Sequence, residues 1–266
     1  MSGDQPFGTF APTGWRRRLI AFVRATPVLR RGSFRPKWAK LLGAGPFDVE
    51  RDGAKMRLHL DTNPIEWGAL LMPGYEGPER AFLAAGLKDG DTLIDIGANF
   101  GFYALTLAPK VGPSGTVIAI EADPKVQARV SENARLNDFP QLSVVLAAAG
   151  DHEGEARFNA KLNPAHSKVS DEGDVVVPMH TLEGILKAHK VKRIDALKID
   201  IEGGEDAVLL PFFAAAPKAL WPKRVVIEDI FIDEGAENCV KRMKAIGYRE
   251  VGRVRINTFL VLDEAG

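Results

Sequence analysis

Short apolar runs that stop at a turn or at a carboxylate recur along the chain, and the clearest of them is Thr92–Ile96. It carries Asp95 as its only charge and leads directly into a turn with two glycines four positions apart. Continuous apolar runs of this length are typical of strands buried on both faces of a parallel sheet. Residues 102–108 are apolar and end before Pro109, which predicts the first turns of a helix. A strand, a glycine turn and a helix in this order predict a nucleotide-binding corner.

Similar patterns predict the remaining elements of an α/β fold with a mostly parallel sheet. Strands are predicted at residues 116–120, 142–146, 196–199 and 225–227, and helices at 79–85, 124–136, from 181 onward and at 237–247. Alternating positions predict a final antiparallel pair at 248–254 and 258–262, and an additional pair of strands at 155–160 and 174–178.

The spacing of the glycine turn bears on which nucleotide it binds. A dinucleotide site requires G-x-G-x-x-G, whereas this chain has D-x-G-x-x-x-G from Asp95 through Gly97 to Gly101. A carboxylate before the first glycine favours a ligand with a cationic ammonium over one with two phosphates. S-adenosylmethionine fits this description, because it has an adenine, a ribose, an ammonium and a sulfonium. Glu121 ends the next predicted strand, where an acid can accept hydrogen bonds from both ribose hydroxyls.

Three segments together resemble the FkbM-type family of S-adenosylmethionine-dependent methyltransferases. They are Asp95-Ile96-Gly97-Ala98-Asn99-Phe100-Gly101-Phe102, then Glu121-Ala122-Asp123-Pro124 with Asn133, Leu136 and Asn137, and Lys198-Ile199-Asp200-Ile201-Glu202-Gly203-Gly204-Glu205. The resemblance covers roughly residues 75–230 and departs from the family at Pro211, where glycine is more usual. It implies a class I methyltransferase (Rossmann-like) fold, with a seven-stranded mostly parallel sheet, helices on both faces and an antiparallel C-terminal strand. A small N-terminal helical and hairpin extension would precede it.

The predicted cofactor-binding residues come from the spacing, from the resemblance and from positions that follow strands. They are Tyr75, Asp95, Gly97, Ala98, Asn99, Gly101, Glu121, Ala122, Asp151 and Asp200. Tyr75 and its neighbour Glu76 have a simpler alternative as a surface turn that begins a helix. Asp151 follows the small residues 147–150, against which an adenine ring could lie flat. It could accept a hydrogen bond from the adenine amino group or belong to an ordinary turn.

The predicted catalytic residues are Asp200, Glu202 and His166. Asp200, Glu202 and Glu205 follow the predicted strand 196–199, at the sheet edge where ligands bind. Carboxylates this close shift one another's pKa values, so one could serve as a general base. A divalent cation held by their oxygens is the alternative, and our prediction assigns no metal ligand. In the simplest case Glu205 only favours a helix N-terminus and Asp200 bonds to backbone amides. His166, in a polar loop, is the other candidate base or a solvated side chain.

The whole-chain charge limits the classes of partner. Lys plus Arg and Asp plus Glu both number 35, which gives no general attraction to nucleic acid. The single cysteine, Cys239, excludes an internal disulfide and a multi-cysteine zinc site. Nevertheless, the first forty residues carry nine basic residues against Asp4 alone. This basic segment could lie on an anionic membrane surface, extend as a solvated arm, or form a helix packed on the core.

Two units are predicted: residues 1–74 as a basic extension with a hairpin at 47–60 that covers the cofactor cleft, and residues 75–266 as the S-adenosylmethionine-binding domain. The predicted function is O-methylation of a hydroxyl on a sugar or other small-molecule acceptor by in-line displacement. We expect a cytoplasmic enzyme with optional contact at the inner face of a membrane. The alternatives are an NAD(P)-linked oxidoreductase, disfavoured by the missing G-x-G-x-x-G, and a nucleotide-binding protein without turnover, which would not need the carboxylates at 200–205.

Overall fold

The structure is a computed structural model that describes residues 5–30, 34–60, 64–158, 173, 175–229 and 238–263. The described helices are α1 Gly14–Ala25, α2 Arg35–Leu42, α3 Pro64–Leu71, α4 Gly77–Ala84, α5 Phe102–Val111, α6 Pro124–Arg135, α7 Leu182–Ala188, α8 Glu205–Ala215 and α9 Cys239–Ala245. The described strands are β1 Phe47–Arg51, β2 Ala54–Leu58, β3 Thr92–Ile96, β4 Thr116–Glu121, β5 Leu142–Leu146, β6 Ala148–Gly150, β7 Gly154–Phe158, β8 Val175–Thr181, β9 Ala196–Ile199, β10 Arg224–Glu228, β11 Tyr248–Val254 and β12 Asn257–Leu262.

A seven-stranded sheet with the order β11-β12-β10-β9-β3-β4-β5 forms the centre of the molecule. The strands β10, β9, β3, β4 and β5 are parallel, and β12 pairs antiparallel with both β10 and β11. The predicted fold class is therefore confirmed. The chain builds the sheet outward from β3 through β4 to β5 and then returns to place β9 on the other side of β3. Ligands of open α/β sheets bind at this reversal, beyond the carboxyl ends of the strands.

The glycine turn after β3 leads into α5 as predicted, and residues 102–108 form the first turns of this helix. Gly101 precedes the helix with a φ of 89°, a left-handed conformation that glycine adopts without steric cost. Beyond the predicted apolar run, the helix continues through Pro109 to Val111. Proline removes one backbone donor from the last turn. The fully buried side chain of Val111 packs into the core and stabilises that turn.

A second, three-stranded sheet lies beside the main one, with the order β6-β8-β7. The predicted additional pair is confirmed for its described part, since β7 and β8 pair antiparallel. Residues 159–172, which include His166, lie outside the described residues. The strand β6 was not predicted, and it pairs parallel with β8. Thr181 caps α7 as expected, because its side chain accepts a hydrogen bond from the N–H of Gly184 at 3.0 Å.

The first 74 residues share a hydrophobic cluster with the sheet domain. Ile20 and Val23 of α1 and Leu70 of α3 pack in one cluster with Phe100 and Phe102, which follow β3. The hairpin β1–β2 contacts α5 and α6. The division of the chain at residue 74 stays a prediction, and this cluster crosses it.

Two arginines of the N-terminal segment stabilise the end of α3. Arg24 donates to the carbonyl of Leu70 at 2.7 Å, and Arg51 donates to the carbonyls of Ala69, Met72 and, at 2.8 Å, Pro73. Cations near the last carbonyls of a helix interact favourably with its dipole. Part of the basic character seen in the sequence therefore serves packing.

The outer side of α1 carries apolar side chains in solvent. Trp15 and Phe22 are 54% and 57% exposed, whereas Ile20 and Val23 are buried. Within the ranges described above, no helix combines the length and the apolar character needed to cross a membrane.

Candidate cofactor and acceptor site

A cavity of about 950 Å³ opens at the carboxyl ends of the central strands. Its walls are formed by the turn after β3, the end of β4, residues 147–152 around β6, and the turn after β9. The described lining includes Ile96–Phe100, Ile120–Ala122, Ala147–His152 and Asp200–Gly204, together with Ile65, Tyr75, Glu76, Phe102, Tyr103 and Lys198. No residue of the hairpin β1–β2 belongs to this lining. The predicted cover is instead supplied by Ile65 of α3 and by Tyr75 and Glu76.

Gly97 allows the turns after β3 and β9 to touch. Its φ is 73°, and a Cβ added there would lie 1.9 Å from the carbonyl oxygen of Asp200 and 3.1 Å from the side chain of Ile201. Any other residue at position 97 would therefore displace the backbone that carries Asp200. The N–H groups of Gly97 and Ala98 both donate to the carbonyl of Ile120, at 3.0 and 2.9 Å, which fixes the turn against β4.

Glu121 lies at the end of β4 with its carboxylate held by two backbone donors. The Asn99 N–H donates to Oε2 and the Asp123 N–H donates to Oε1, both at 2.9 Å. Each carboxylate oxygen has more than one lone pair, so both oxygens can accept a further hydrogen bond from a ligand. Burial raises the pKa of Glu121 to about 7, against which these two hydrogen bonds act. The arrangement suits a pair of neighbouring hydroxyls, such as those of a ribose.

Asp95 and Gly101 were both assigned to the cofactor, and the structure places both outside the cavity lining. Asp95 is fully buried, and its Oδ2 accepts a hydrogen bond from the Ala104 N–H at 3.0 Å, in the first turn of α5. Gly101 lies against Leu105 and Val130. The two residues shape the start of α5, so the inference that Asp95 contacts a cationic ammonium directly does not match the geometry.

Lys198 belongs to one of the motifs in the sequence and is a functional candidate that was not among the predicted site residues. Its ammonium donates to the carbonyl of Gly97 at 2.7 Å and lies 3.7 Å from Asp95 Oδ1 and 3.6 Å from Asp200 Oδ2. Burial alone would lower the pKa of Lys198, but the carboxylates of Asp200, Asp95, Glu76 and Glu121 together raise it. A lysine inside an apolar strand is itself a signal, because buried lysines require charged partners.

Glu76 is the second residue that was not assigned. It lines the cavity with a left-handed φ of 47°, and the hydroxyls of Tyr75 and Tyr103 hydrogen-bond to its carboxylate. Burial raises the pKa of Glu76, and Lys198 opposes this rise. Strained backbone of this kind concentrates at functional sites. Glu76 is also the N-cap of α4, so the turn begins a helix, as in the simpler alternative, and both residues line the cavity as well.

Asp200, Glu202 and Glu228 form an acidic cluster at one side of the cavity. One carboxylate oxygen of each lies within 4.8 Å of the others. Asp200 and Glu202 line the cavity, and Glu228 ends β10 with 5% exposure. Burial, with Asp200 as the next cause, raises the pKa of Glu228 to about 9. Glu202 has a left-handed φ of 58°.

Glu205 has the structural role that was its simpler alternative. Its Oε1 accepts the Ile201 N–H at 2.8 Å and its Oε2 accepts the Gly203 N–H at 3.0 Å. Both oxygens thus hold the turn that presents Asp200 and Glu202.

Asp151 lies at the open rim of the cavity. Its Oδ1 pairs with Nδ1 of His152 at 2.7 Å, and this hydrogen bond lowers the pKa of Asp151. The carboxylate is 61% exposed, so a ligand can reach it. His166 lies outside the described residues, and its assignment as a base stays a prediction.

Comparison with known proteins supplies independent findings. Residues 95–252 match the family model described as methyltransferase FkbM domain. The hexuronic acid methyltransferase AglP of Haloferax volcanii is 26% identical over 193 residues, which cover 71% of this chain and 74% of that protein. An arsenite methyltransferase of Halobacterium salinarum is 32% identical over 90 residues, which cover 34% of this chain and only 22% of that protein. The crystal structure of a methyltransferase FkbM from Methylobacillus flagellatus superposes with a TM-score of 0.41 and 17% identity, covering 65% of this chain and 43% of that one.

Proposed function

The chain belongs to the methyltransferase FkbM domain family, and on this premise we propose that it transfers a methyl group from S-adenosylmethionine to a hydroxyl of a saccharide or related small molecule. The observation that carries the proposal is the continuity of one cavity from Glu121 to the acidic cluster at Asp200. A relative that methylates hexuronic acid supports the choice of a saccharide. The prediction that the acceptor is not a nucleic acid rests only on the equal numbers of basic and acidic residues in the chain, and it stays a prediction.

The described lining fits the donor. The volume of about 950 Å³ lies at the upper end of small-molecule pockets, which are roughly 300–1,000 Å³. Glu121 would accept the ribose hydroxyls, and the small residues 147–150 leave space for the adenine, with Asp151 beside its amino group. The turn at Gly97–Asn99 and the ammonium of Lys198 would lie against the methionine portion. The other proposed contacts, Tyr75, Ala98 and Ala122, belong to the same lining.

The mechanism we propose is an in-line displacement in which the protein chiefly positions the reactants. When bound, S-adenosylmethionine supplies a methyl group that is already activated by the sulfonium. Orientation in such a site can contribute about 7–11 kcal/mol. Asp200 or Glu202 would take the proton from the acceptor hydroxyl as its oxygen forms a bond to the methyl carbon, a general-base contribution of about 10²–10⁴-fold. Lys198, 3.6 Å from Asp200 Oδ2, orients that carboxylate.

Binding and turnover test the proposal separately. Titration calorimetry should show binding of S-adenosylhomocysteine and no binding of NADH. Incubation with methyl-labelled donor and a panel of hexuronic acid-containing oligosaccharides should label a product whose methylated oxygen is located by mass spectrometry. An Asp200→Asn variant should keep the affinity for S-adenosylhomocysteine within a few-fold and lose transfer. Binding of NADH in place of S-adenosylhomocysteine, or transfer that is unaffected in Asp200→Asn, would contradict the proposal.

The basic N-terminal segment is proposed to contact an anionic membrane surface. Trp15 and Phe22 project from α1, which also carries Arg17 and Arg18, and all four side chains are exposed. Aromatic residues flanked by arginines suit the headgroup region of a bilayer. Cosedimentation with vesicles should require anionic lipid, weaken with salt and weaken further in a Trp15→Ala, Phe22→Ala double variant. Equal binding to neutral vesicles, or no effect of the double variant, would refute the contact.

A further inference from the structure

We propose that Asp200, Glu202 and Glu228 form a binding site for one divalent cation of the Mg²⁺ or Mn²⁺ type. The chain reaches this cluster through two adjacent parallel strands. In the register of β9 with β10, Ile199 pairs with Ile227, which brings the next residues, Asp200 and Glu228, level with each other. The left-handed backbone of Glu202 turns the chain back so that its carboxylate joins the pair.

The spacing of the oxygens fits a single cation. One oxygen from each of the three carboxylates lies within 4.8 Å of the other two. Two ligands on opposite sides of a cation are separated by twice the metal–oxygen distance, about 4.2 Å for Mg²⁺ and about 4.6–5.2 Å for Ca²⁺. Three protein oxygens would leave about half of an octahedral shell for water or for the acceptor.

Glu228 supplies the observation that distinguishes this cluster from an ordinary group of acids. Its side chain is 5% exposed, its Oε2 accepts no hydrogen bond from a donor among the described residues, and its carboxyl instead lies within hydrogen-bonding distance of the acidic Asp200. A buried carboxylate oxygen without a partner is costly, and a coordinated cation would remove that cost. Lys198 approaches Asp200 at 3.6 Å but donates its hydrogen bond to the carbonyl of Gly97.

This ligand set differs from the one suggested by the sequence, and no metal ligand was predicted there. The sequence places Glu205 in the same segment as Asp200 and Glu202, but both of its oxygens accept backbone N–H groups. Glu228, about 25 positions further along the chain, takes its place through the strand pairing. The cation would lie beside the cavity wall formed by Asp200 and Glu202. This last step rests on the proposed function: the bound cation would hold the acceptor hydroxyl and lower the pKa of that hydroxyl, as metal ions do for bound water.

Direct titration of the full chain with MnCl₂, followed by electron paramagnetic resonance, tests the site without requiring turnover. We expect one saturable Mn²⁺ per chain that excess Mg²⁺ displaces. Glu228→Gln keeps the shape of the side chain but removes its charge, and it should weaken Mn²⁺ binding about tenfold or more. Glu250→Gln, which changes an exposed carboxylate paired with Lys244, is the matched control and should bind as the wild type does.

A second variant keeps the test decisive if Glu228→Gln does not fold. Glu202→Gln lies on the cavity side and should weaken Mn²⁺ binding to a similar extent. Wild-type protein without saturable Mn²⁺ binding would overturn the inference, and so would Gln variants that bind Mn²⁺ as tightly as the wild type. A proton shared between Asp200 and Glu228 would then explain the cluster. Titration of the same samples with S-adenosylhomocysteine separates the two proposals. If S-adenosylhomocysteine does not bind, the proposed donor site is contradicted, whereas the Mn²⁺ titration still decides whether the cation site exists.

Discussion

Replacement of Gly97 by alanine should lower the free energy of unfolding. The loss has two parts, one from the backbone conformation of residue 97 and one from a steric collision of the new Cβ. The φ of 73° places residue 97 in the left-handed region, where a side chain costs about 1–2 kcal/mol. The added Cβ would also lie 1.9 Å from the carbonyl oxygen of Asp200. That oxygen belongs to the backbone after β9, so the collision cannot be relieved by rotating a side chain. Overpacking of this kind costs about 1–3 kcal/mol.

The sum is about 2–5 kcal/mol, a large part of the roughly 5–15 kcal/mol by which natural proteins are stable. It should appear as a lower midpoint of urea unfolding with an unchanged slope. The turn after β9 must also move, and it carries Asp200 and Glu202. Affinity for S-adenosylhomocysteine should therefore fall together with stability, even though alanine adds only one methyl group.

Gly90→Ala is the matched control. Its φ of 83° is close to that of Gly97, but a Cβ there would meet only Ser114 Oγ at 3.8 Å, an ordinary contact. This variant should lose about 1–2 kcal/mol and keep its affinity for S-adenosylhomocysteine. If Gly97→Ala proves no more destabilising than Gly90→Ala, the close approach of the two turns that we describe is refuted.

Other predictions follow from individual groups. The pKa of Glu121 is raised to about 7, so its carboxylate becomes protonated between pH 8 and pH 6, and the affinity for S-adenosylhomocysteine should fall about tenfold over this range. Glu121→Gln should bind S-adenosylhomocysteine weakly and without this pH dependence. A wild-type affinity that does not change with pH would contradict the assignment of Glu121 to the ribose. Asn133→Ala removes a buried acceptor of the Arg57 N–H at 2.7 Å and should lower the free energy of unfolding by about 1–3 kcal/mol, more than the half-buried Asn137→Ala. Burial raises the pKa of Cys239, so its thiol should react with a disulfide reagent only after denaturation, and rapid labelling of the native protein would show that α9 is open.

Much of the sheet could be predicted because its strands are short, apolar and bounded by clear signals. β3 begins and ends where predicted, and β5 and β9 also match. β3 and β9 are buried along their whole length, and such strands are continuous apolar runs, which leaves little freedom in their boundaries. β6 was missed because three small residues, Ala148–Gly150, have no strand pattern and pair only through β8.

The candidate site was harder to predict because charge along a sequence does not reveal which way a side chain faces. Asp95 and Glu121 both follow apolar residues, yet Asp95 faces α5 and Glu121 faces the cavity. The role of Lys198 depends on a carbonyl 101 positions away, and that of Glu228 on the pairing of β9 with β10. These relations exist only once the chain has reversed direction across the sheet.

Asn133 of α6 and Asn137, just after this helix, protect the hairpin from association with other chains. Asn137 donates to the carbonyl of Lys55 and accepts from its N–H, both at 2.8 Å, and Asn133 accepts the N–H of Arg57. These amides satisfy the outer backbone groups of β2 as a neighbouring strand would. A two-stranded ribbon with an open edge can recruit a second chain and start aggregation. Here the edge is closed by side chains of α6 and of the residues just after it, so the ribbon is protected without the addition of a third strand.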